Sequence, residues 1–346
     1  KSIGQARRKM TSLSFDDVLL VPQYSDIESR KSLSTNNHLG KILLDLPIIS
    51  SPMDTVTEVE MVVSIEMHGG LGVIHRYNSV LGQSELVKKA KIAQVNNVAA
   101  AIGVTGDYLE RAQTLVEAGA NVLCVDVAHG HHSMMKTALA QLRKTFSSDL
   151  HIMAGNVATG EGACSLAEWG ADSVRVGVGG GSICSTRLVS GHGVPTFQSV
   201  VDCVDAGCPI PIIADGGMKT SGDVVKAIAA GADFVMLGSM LAGTDQSPGQ
   251  VFDAGSKKYK VYRGMASSEA QVNWRGKTST PEGISTTIPY KGDVNIVLAD
   301  LKGGIQSGMS YSGARTIQEL QAKAKFVRQT VAGQAESFTH ILSRNK

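Results

Sequence analysis

Three segments of the chain repeat one pattern, and this repeat constrains the fold more than any other feature. The segments read LVEAGANVLCVDVAHG from Leu115, LAEWGADSVRVGVGGG from Leu166 and AIAAGADFVMLGSMLAG from Ala227. Each begins as the end of a helix, turns at Gly-Ala followed by Asn or Asp, and continues as an apolar strand. Continuous apolar strands that alternate with helices are typical of parallel sheets covered by helices. The repeat therefore predicts an α/β protein.

Five further segments have the composition of buried strands. They read DLPIISSPM, GLGVIH, NVAAAIGV, HIMAGNV and PIPIIADGG, and amphipathic stretches such as DYLERAQTLVEAG lie between strands. About eight strands alternating with helices predict a closed (β/α)₈ TIM barrel, formed as a single domain over residues 1–346. An open doubly wound sheet fits less well, because no G-x-G-x-x-G motif occupies the first strand-to-helix turn.

Charge and composition exclude several classes of protein. The 346 residues carry 33 Lys and Arg against 31 Asp and Glu, a net charge of +2, so we expect no nucleic-acid partner. No apolar stretch approaches the length of a membrane span, and the start KSIGQARRKM lacks the apolar region of a secretory signal. We therefore expect a cytoplasmic protein with no membrane partner. Five cysteines without CxxC spacing predict neither a disulfide framework nor a zinc site.

Polar residues and glycines stand directly after the predicted strands. In a (β/α)₈ barrel these positions lie together at the carboxyl face, where barrel enzymes place their active sites. The positions are Ser51, Met53, Asp54, His75, Asp126, His129, Asn156, Cys184, Asp215, Gly238 and Ser239. Each one alone could equally be a helix cap. As a set they predict a functional site at this face.

Two of these loops have the composition of a phosphate site. ADGGMKTSGD and LGSM follow the last two predicted strands, where barrels often bind phosphate through backbone N–H groups. Asp215 has the wrong charge for phosphate but can accept hydrogen bonds from ribose hydroxyls. The pair of loops therefore predicts a nucleoside monophosphate ligand. The alternative is that these glycines only form tight turns.

The stretch VGVGGGSICSTR, from Val176 to Arg187, places a cysteine after a run of glycines. Glycines allow backbone groups to face a ligand, and they allow the loop to move. Cys184 in this polar setting is a candidate reactive thiol, although a free cysteine is more often an inert core residue. The other cysteines fit the inert interpretation better, namely Cys124, Cys164, Cys203 and Cys208.

Motifs along nearly the whole chain resemble the IMP dehydrogenase and GMP reductase family. They include LSFDDVLLVPQYS, PIISSPMDTVTEVEM, GGLGVIH, VDVAHGH, MAGNVAT, VGVGGGSICSTR, IIADGGMKTSGD, YRGMASSEA, PEGISTTIPYKG and GGIQSGMSYSGARTIQEL. The resemblance implies a (β/α)₈ barrel, a homotetramer, a purine nucleoside monophosphate substrate and a nicotinamide cofactor. It also implies a cysteine that attacks C2 of the purine.

The resemblance further implies roles for individual residues. Cys184 would be the nucleophile, and Thr186 and Glu282 would move protons. Nucleotide contacts would come from Ser51, Met53, Ser182, Asp215, Gly217, Gly238, Ser239, Tyr262, Gly264 and Met265. The nicotinamide half of the cofactor would face Asp126, Asn156 and Arg175. A monovalent cation such as potassium would bind the backbone carbonyls of Gly179, Gly181 and Cys184. Gly180 departs from the family pattern, in which proline is common, so we expect a looser cation site.

Two short segments bear on the branch of the family. Only enough residues for one helix separate His75 from the strand NVAAAIG, so the regulatory CBS pair that many dehydrogenases carry there is absent. The flap-like insertion, residues 266–289, is also short, and no tyrosine follows Arg275. The Arg-Tyr pair with which the dehydrogenases activate water is therefore missing.

A dehydrogenase must hydrolyse its covalent intermediate and needs a base for water, whereas a reductase must exclude water. The short flap thus predicts a GMP reductase that uses NADPH to convert GMP to IMP and ammonia. The stretches TDQSPGQ, AGQAES and PEGISTTIPYKG are more similar to dehydrogenases. A minimal IMP dehydrogenase that uses NAD and lacks CBS modules therefore remains the first alternative. A nucleotide-binding barrel that senses IMP or GMP without turnover is the second.

Overall fold

A computed structural model describes residues 11–146 and 148–337. The strands are β1 (Val18–Leu20), β2 (Asn37–Leu39), β3 (Ile42–Leu44), β4 (Ile48–Ser50), β5 (Leu71–Ile74), β6 (Ala99–Ile102), β7 (Val122–Asp126), β8 (His151–Val157), β9 (Ser173–Val176), β10 (Ile212–Asp215), β11 (Phe234–Leu237), β12 (Phe252–Ala254), β13 (Lys257–Arg263), β14 (Ser285–Pro289) and β15 (Phe326–Arg328). Strands β4 to β11 form a closed barrel of parallel strands, and β11 pairs back onto β4 with Leu237 beside Ser50. The predicted (β/α)₈ barrel is confirmed.

Each barrel strand is followed by a helix. The helices are α1 (Val59–Met67), α2 (Val80–Ile92), α3 (Tyr108–Glu117), α4 (Ser133–Thr145), α5 (Gly160–Glu168), α6 (Thr186–Ser190), α7 (Thr196–Asp205), α8 (Ser221–Ala229), α9 (Ser268–Arg275), α10 (Val294–Tyr311), α11 (Ile317–Lys323) and α12 (Val331–Glu336). A capping box begins α8, because Thr220 Oγ1 accepts from the Asp223 N–H at 3.2 Å and the Asp223 carboxylate accepts from the Thr220 N–H. Within the described residues, every helix is too short or too polar to cross a bilayer.

The barrel interior is filled by apolar side chains from every barrel strand except β9. They include Ile49, Val73, Ala99, Ala101, Val122, Cys124, Met153, Ile213, Phe234 and Met236. Side chains alternate along a strand, so the residue two positions after an interior residue faces the same way. This alternation carries Asp126, Asp215 and Gly238 into the mouth of the barrel, directly above the apolar layer.

The amino end of the barrel is covered by the hairpin of β2 and β3. Leu39 and Leu44 of this hairpin join the interior cluster. The turn between the strands lies against His151, since a Cβ on Gly40 would be 3.0 Å from the His151 Nδ1. His151 is 6% exposed, and its Nε2 lies 2.8 Å from the Ser173 Oγ. The hairpin thus buries an ionisable group at the end of the barrel opposite the mouth.

Strands β12, β13 and β14 form a separate antiparallel sheet. The predicted flap, residues 266–289, contains α9 and β14. Between β5 and β6 the chain forms only α2 and its connections, as the sequence predicted. The single-domain prediction also includes residues 1–10, 147 and 338–346, which lie outside the described residues.

Candidate active site

Four predicted nucleotide contacts meet where β11 ends. A Cβ on Gly238 would lie 3.1 Å from the Tyr262 hydroxyl, 3.2 Å from the Ser51 Oγ and 3.3 Å from the Met53 Sδ. The Ser51 N–H also donates to the Leu237 carbonyl at 3.0 Å. Because these side chains converge on Gly238, any larger residue there would displace them. The lack of a side chain at Gly238 therefore keeps space open at this point.

The glycine loop after β9 packs closely against the loop after β10. Gly177 has φ +150°, and a Cβ there would lie 2.0 Å from the Asp215 carbonyl oxygen. A Cβ on Gly216 would lie 3.2 Å from the Gly181 nitrogen, and one on Gly217 would lie 3.4 Å from the Gly180 carbonyl oxygen. The two loops approach backbone to backbone, and at Gly177 the spacing leaves no room for a side chain.

Gly180, the departure from the family pattern, has its own neighbour. A Cβ at this position would lie 2.6 Å from the Thr196 Oγ1. That hydroxyl is buried and has no hydrogen-bond partner among the described residues. In this chain Thr196 thus occupies the space that a side chain on residue 180 would need.

The LGSM segment forms a single tight turn. The Gly238 carbonyl accepts hydrogen bonds from the N–H groups of Leu241, at 3.0 Å, and Ala242, at 2.9 Å. The N–H groups of Ser239 and Met240 have no acceptor in residues 11–146 and 148–337. Two unpaired donors beside Gly238 are the groups that an anion would bind.

Cys184 and Thr186 are in direct contact. The Cys184 Sγ donates to the Thr186 Oγ1 at 3.1 Å, and the Cys184 N–H donates to the Gly181 carbonyl at 3.1 Å. The next residue, Ser185, donates its N–H to the carbonyl of Glu282 at 2.8 Å. The three predicted catalytic residues therefore lie on two backbone segments that are hydrogen-bonded to each other. Glu282 is far from Cys184 in the sequence, so only the fold brings the two segments together.

The segment around Glu282 lies between two other parts of the site. On one side the Ile284 N–H donates to the Ile183 carbonyl at 3.0 Å, beside the cysteine. On the other, the Glu282 N–H donates to the Ala266 carbonyl at 3.1 Å and the Gly264 N–H donates to the Ile284 carbonyl at 2.9 Å. The end of the flap thus connects the cysteine loop to the predicted contacts Gly264 and Met265.

Four predicted residues form one charged network across β7, β8, β9 and β10. Arg175 donates from Nη1 to the Asp126 Oδ1 at 2.6 Å and from Nη2 to the Asp215 Oδ2 at 2.8 Å. The Asn156 Nδ2 also donates to the Asp215 Oδ2 at 2.8 Å. The sequence assigned Asp215 to the substrate and the other three to the cofactor, and the structure joins both groups. The Asp215 Oδ1 accepts no hydrogen bond from the described residues, so one oxygen is available to a ligand.

Burial and neighbouring charges shift the pKa of Arg175 in opposite directions. Burial alone would lower the pKa of its guanidinium, but the neighbouring Cys124, Asp126 and Asp215 raise that pKa well above its usual range. Arg175 is 5% exposed, so near neutral pH its charge depends on the carboxylates of Asp126 and Asp215.

Two of the cysteines predicted to be inert are fully buried. Burial raises the pKa of Cys124 to about 12, and burial likewise raises the pKa of Cys203 to about 12. Burial also raises the pKa of Cys208. These thiols stay protonated near neutral pH, which agrees with a core role. Cys184 is only partly buried.

Two strand-end histidines do not join the site. His75 is buried, with its Nε2 2.9 Å from the Glu58 Oε1 and its Nδ1 accepting from the Tyr77 N–H. His129 stacks edge-on against His132, with 6.4 Å between ring centroids. Their positions after strands were not sufficient to predict a role in the site.

Sequence reasoning missed two arginines at the mouth of the barrel. The Arg76 Nη2 donates to the Asp126 carbonyl at 3.2 Å. Arg263 donates from Nη2 to the Asp54 Oδ2 at 2.6 Å and thereby ties β13 to the loop after β4. Arg76 directly follows His75, and Arg263 directly follows Tyr262. Because the motifs singled out His75 and Tyr262, this adjacency is the sequence signal that could have identified the two arginines.

A cavity of about 170 Å³ opens beside Asp126. It is lined by Arg76, Gly103, Val104, Thr105, Asp107, Arg111, Val127, Met134 and Trp274. Trp274 comes from the flap helix α9, and the Arg111 guanidinium lies 5.6 Å from its ring centroid. The flap thus forms part of the cavity wall.

Buried polar atoms that lack a hydrogen bond test whether a nicotinamide cofactor would fit at the barrel mouth. The Asn156 Oδ1 and the Arg76 Nε have no hydrogen-bond partner among the described residues, although the Arg76 Nε forms an ion pair with the Asp126 Oδ2 at 3.8 Å. One is an acceptor and the other a donor, which matches a ligand group such as a carboxamide. The residues at this edge of the mouth therefore fit the nicotinamide half of such a cofactor.

Comparisons with known proteins agree with this arrangement. The family model for the IMP dehydrogenase / GMP reductase domain matches residues 12–340. The chain is 35% identical to inosine-5′-monophosphate dehydrogenase of Nitrosopumilus maritimus (strain SCM1), over 95% of this chain and 98% of that protein. It is 33% identical to GMP reductase of Leishmania major, over 99% of both proteins.

A solved structure shares the fold over almost its whole length. A crystal structure of a GMP reductase variant from Trypanosoma brucei in complex with guanosine 5′-monophosphate matches with a TM-score of 0.91 and 31% sequence identity. The match covers 97% of this chain and 99% of that one. Members of the matching family are oxidoreductases. The chain therefore belongs to the IMP dehydrogenase / GMP reductase family.

Proposed function

We propose that this protein is a GMP reductase that converts GMP to IMP and ammonia with NADPH. The observation that carries the proposal is the flap. Between α9 and Glu282 the chain reads GKTSTP, without a tyrosine after Arg275, so the Arg-Tyr pair that would activate water is missing. A site that cannot activate water suits a reaction in which water must not attack the intermediate. The similarity to a GMP reductase structure with bound GMP supports the same direction.

In this proposal the mouth of the barrel orients the nucleotide. The N–H groups of Gly217, Ser239 and Met240 bind the phosphate, and the free oxygen of Asp215 accepts from a ribose hydroxyl. Such contacts place C2 of the purine beside Cys184. Ser51, Met53, Ser182, Gly238, Tyr262, Gly264 and Met265 complete the walls around the nucleotide.

The reaction then proceeds through a bond between the Cys184 sulfur and C2 of the purine. The thiolate adds to C2, and the exocyclic amine leaves as ammonia after it receives a proton by way of Thr186 and Glu282. NADPH, when bound, supplies the hydride that C2 accepts in place of the amine. Loss of the cysteine thiolate from C2 then gives IMP and regenerates the free thiol. The contact between the Cys184 Sγ and the Thr186 Oγ1 at 3.1 Å supports a relay that begins at the Thr186 hydroxyl, beside the sulfur.

Asp126, Asn156 and Arg175 would hold the nicotinamide half, and the cavity beside Asp126 could take part of the rest of the cofactor. The orphaned Asn156 Oδ1 would accept from the carboxamide. For the monovalent cation, we propose the carbonyls of Gly179, Gly181 and Cys184 as ligands. Potassium there would hold the glycine loop in one conformation while Cys184 reacts.

A minimal IMP dehydrogenase is the second candidate. The observation that favours it is that relatives named inosine-5′-monophosphate dehydrogenase reach 38% identity, compared with 33% for those named GMP reductase. In that case Thr186 and Glu282 would activate water in place of the missing pair.

Initial rates measured in both directions test the proposal. With GMP and NADPH we expect GMP-dependent loss of absorbance from the reduced cofactor, and with IMP and NAD we expect little or no reduction. The physical reason is that the flap offers no base for water. Faster reduction of NAD by IMP than oxidation of NADPH by GMP would favour the dehydrogenase.

A further inference from the structure

Lys291 reaches the back of the turn that carries Ser239. It follows β14, and its ammonium donates to the Ser239 carbonyl and lies 3.3 Å from the Met240 carbonyl. The Lys291 N–H donates to the Gly243 carbonyl at 2.8 Å. The lysine is thus held at its tip by the turn and at its backbone by Gly243, which follows the turn, and these contacts fix a side chain that is otherwise flexible.

The orientation of one peptide group links Lys291 to the opposite face of the turn. In a trans peptide the C=O and the following N–H point in opposite directions. The Ser239 carbonyl faces the Lys291 ammonium, so the Met240 N–H points away from it. That N–H is one of the two donors that have no acceptor in the described part of the chain. A cation at the carbonyl end of a helical turn also complements the dipole whose positive end faces an anion.

The charge of Lys291 is not cancelled by an acidic side chain. Desolvation lowers the pKa of Lys291, and no acidic neighbour within the described residues raises it. Lys219 gives the contrast. It lies two residues after Gly217, in the other phosphate-type loop, and its ammonium pairs with the Asp16 carboxylate at 2.7 Å and 3.0 Å. Of these two lysines beside the phosphate-type loops, Lys291 therefore contributes the unpaired positive charge.

We propose that Lys291 is a positioning residue that makes the site selective for the phosphorylated nucleotide over the nucleoside. It acts through the Ser239–Met240 peptide, whose N–H it orients and polarises toward the phosphate, and it adds positive potential behind the turn. The inference rests on the proposed function, in that it takes the ligand of this site to be a nucleoside monophosphate.

The test compares GMP with guanosine by equilibrium titration of the full chain. In Lys291→Met we expect the dissociation constant for GMP to rise about three- to fivefold, the scale for an exposed charge at the end of a helical dipole. The dissociation constant for guanosine should stay within about twofold, because the base and ribose contacts are unchanged. Lys291→Arg should restore most of the preference for GMP. Lys291→Gln serves as a second variant without the charge.

Lys219→Met is the matched control, since it removes a lysine whose charge is already paired. Its preference for GMP over guanosine should remain within about twofold of the wild-type preference. Equal weakening of GMP and guanosine in Lys291→Met and Lys291→Gln would show a merely structural role and overturn the inference. If Lys291→Met and Lys291→Gln both keep the wild-type preference for GMP over guanosine, the inference about Lys291 is overturned. The proposed nucleotide ligand is not affected by that result. A wild-type chain that binds GMP no better than guanosine would overturn both the inference and the proposed ligand.

Discussion

Arg175 determines how the acidic residues at the barrel mouth are arranged. Its two terminal nitrogens bind Asp126 and Asp215, which lie 49 and 40 positions away in the chain. The side chains of these partners are 17% and 15% exposed, so the carboxylates have little access to water. Arg175 binds one oxygen of Asp215, and the other oxygen accepts no hydrogen bond from the described residues. In the proposed function that second oxygen binds the ribose, so the arginine would connect the stability of the mouth to binding.

Arg175→Met should be strongly destabilising. It removes the cation between two poorly hydrated carboxylates, and loss of one partner from a buried ion pair costs about 3 kcal/mol or more. Urea unfolding at neutral pH measures the effect. Lys41→Met is the control, because Lys41 and its partner Asp149 are 72% and 84% exposed and their pairing contributes little. A loss below about 1 kcal/mol in Arg175→Met would mean that Arg76 alone can compensate Asp126.

At the scale of elements, the barrel was predictable and its additions were not. All eight barrel strands fall within segments that the sequence singled out, because their apolar runs are continuous and bounded by glycine or polar residues. The sheet of β12, β13 and β14 lacks that pattern, since β12 is exposed throughout and β14 is mostly exposed. The hairpin of β2 and β3 is made of three-residue strands, which are too short to show a period.

The hairpin makes stability depend on pH through His151. Burial lowers the pKa of His151 from 6.5 to about 4, with Asp172 raising it and Arg143 lowering it to lesser extents. The folded chain therefore keeps His151 neutral, whereas the unfolded chain protonates it below about pH 6.5. This contribution is complete above the unfolded pKa and is lost as pH falls from about 6.5 toward 4.

Urea unfolding at pH 7.5 and pH 5 tests the pH dependence that His151 causes. Both pH values lie about one unit or more from the pKa of a histidine in the unfolded chain. We expect His151 to account for about 1 to 2 kcal/mol of the stability lost between the two. His151→Gln should lose correspondingly less on acidification, whereas the exposed His38→Gln should behave as wild type. The same pH dependence in His151→Gln and wild type would show that His151 does not cause this loss of stability.

At the scale of the whole molecule, the site depends on parts of the chain that meet only after the barrel closes. Strand ends indicated Asp126, Asn156, Cys184 and Asp215, because the fold class places strand ends together. The pairing of Asp215 with Arg175, and of Asp54 with Arg263, depends on which side chains meet across strands and loops. Neither periodicity nor composition carries that information. The role of Lys291 is hidden in the same way, because its partners are carbonyl groups that any residue could supply.

In the proposed reaction, the exocyclic amine of GMP leaves while C2 is bound to Cys184. The most direct measurement uses GMP that carries a heavy-nitrogen label on this amine, incubated with NADPH, with ammonia and nucleotides analysed by mass spectrometry. We expect labelled ammonia and IMP in equal amounts, both matching the NADPH consumed. We also expect Cys184→Ala to lower this yield per unit time by about 10³ or more while still binding GMP. Unlabelled ammonia only, together with rapid formation of XMP from IMP and NAD, would rule out this mechanism.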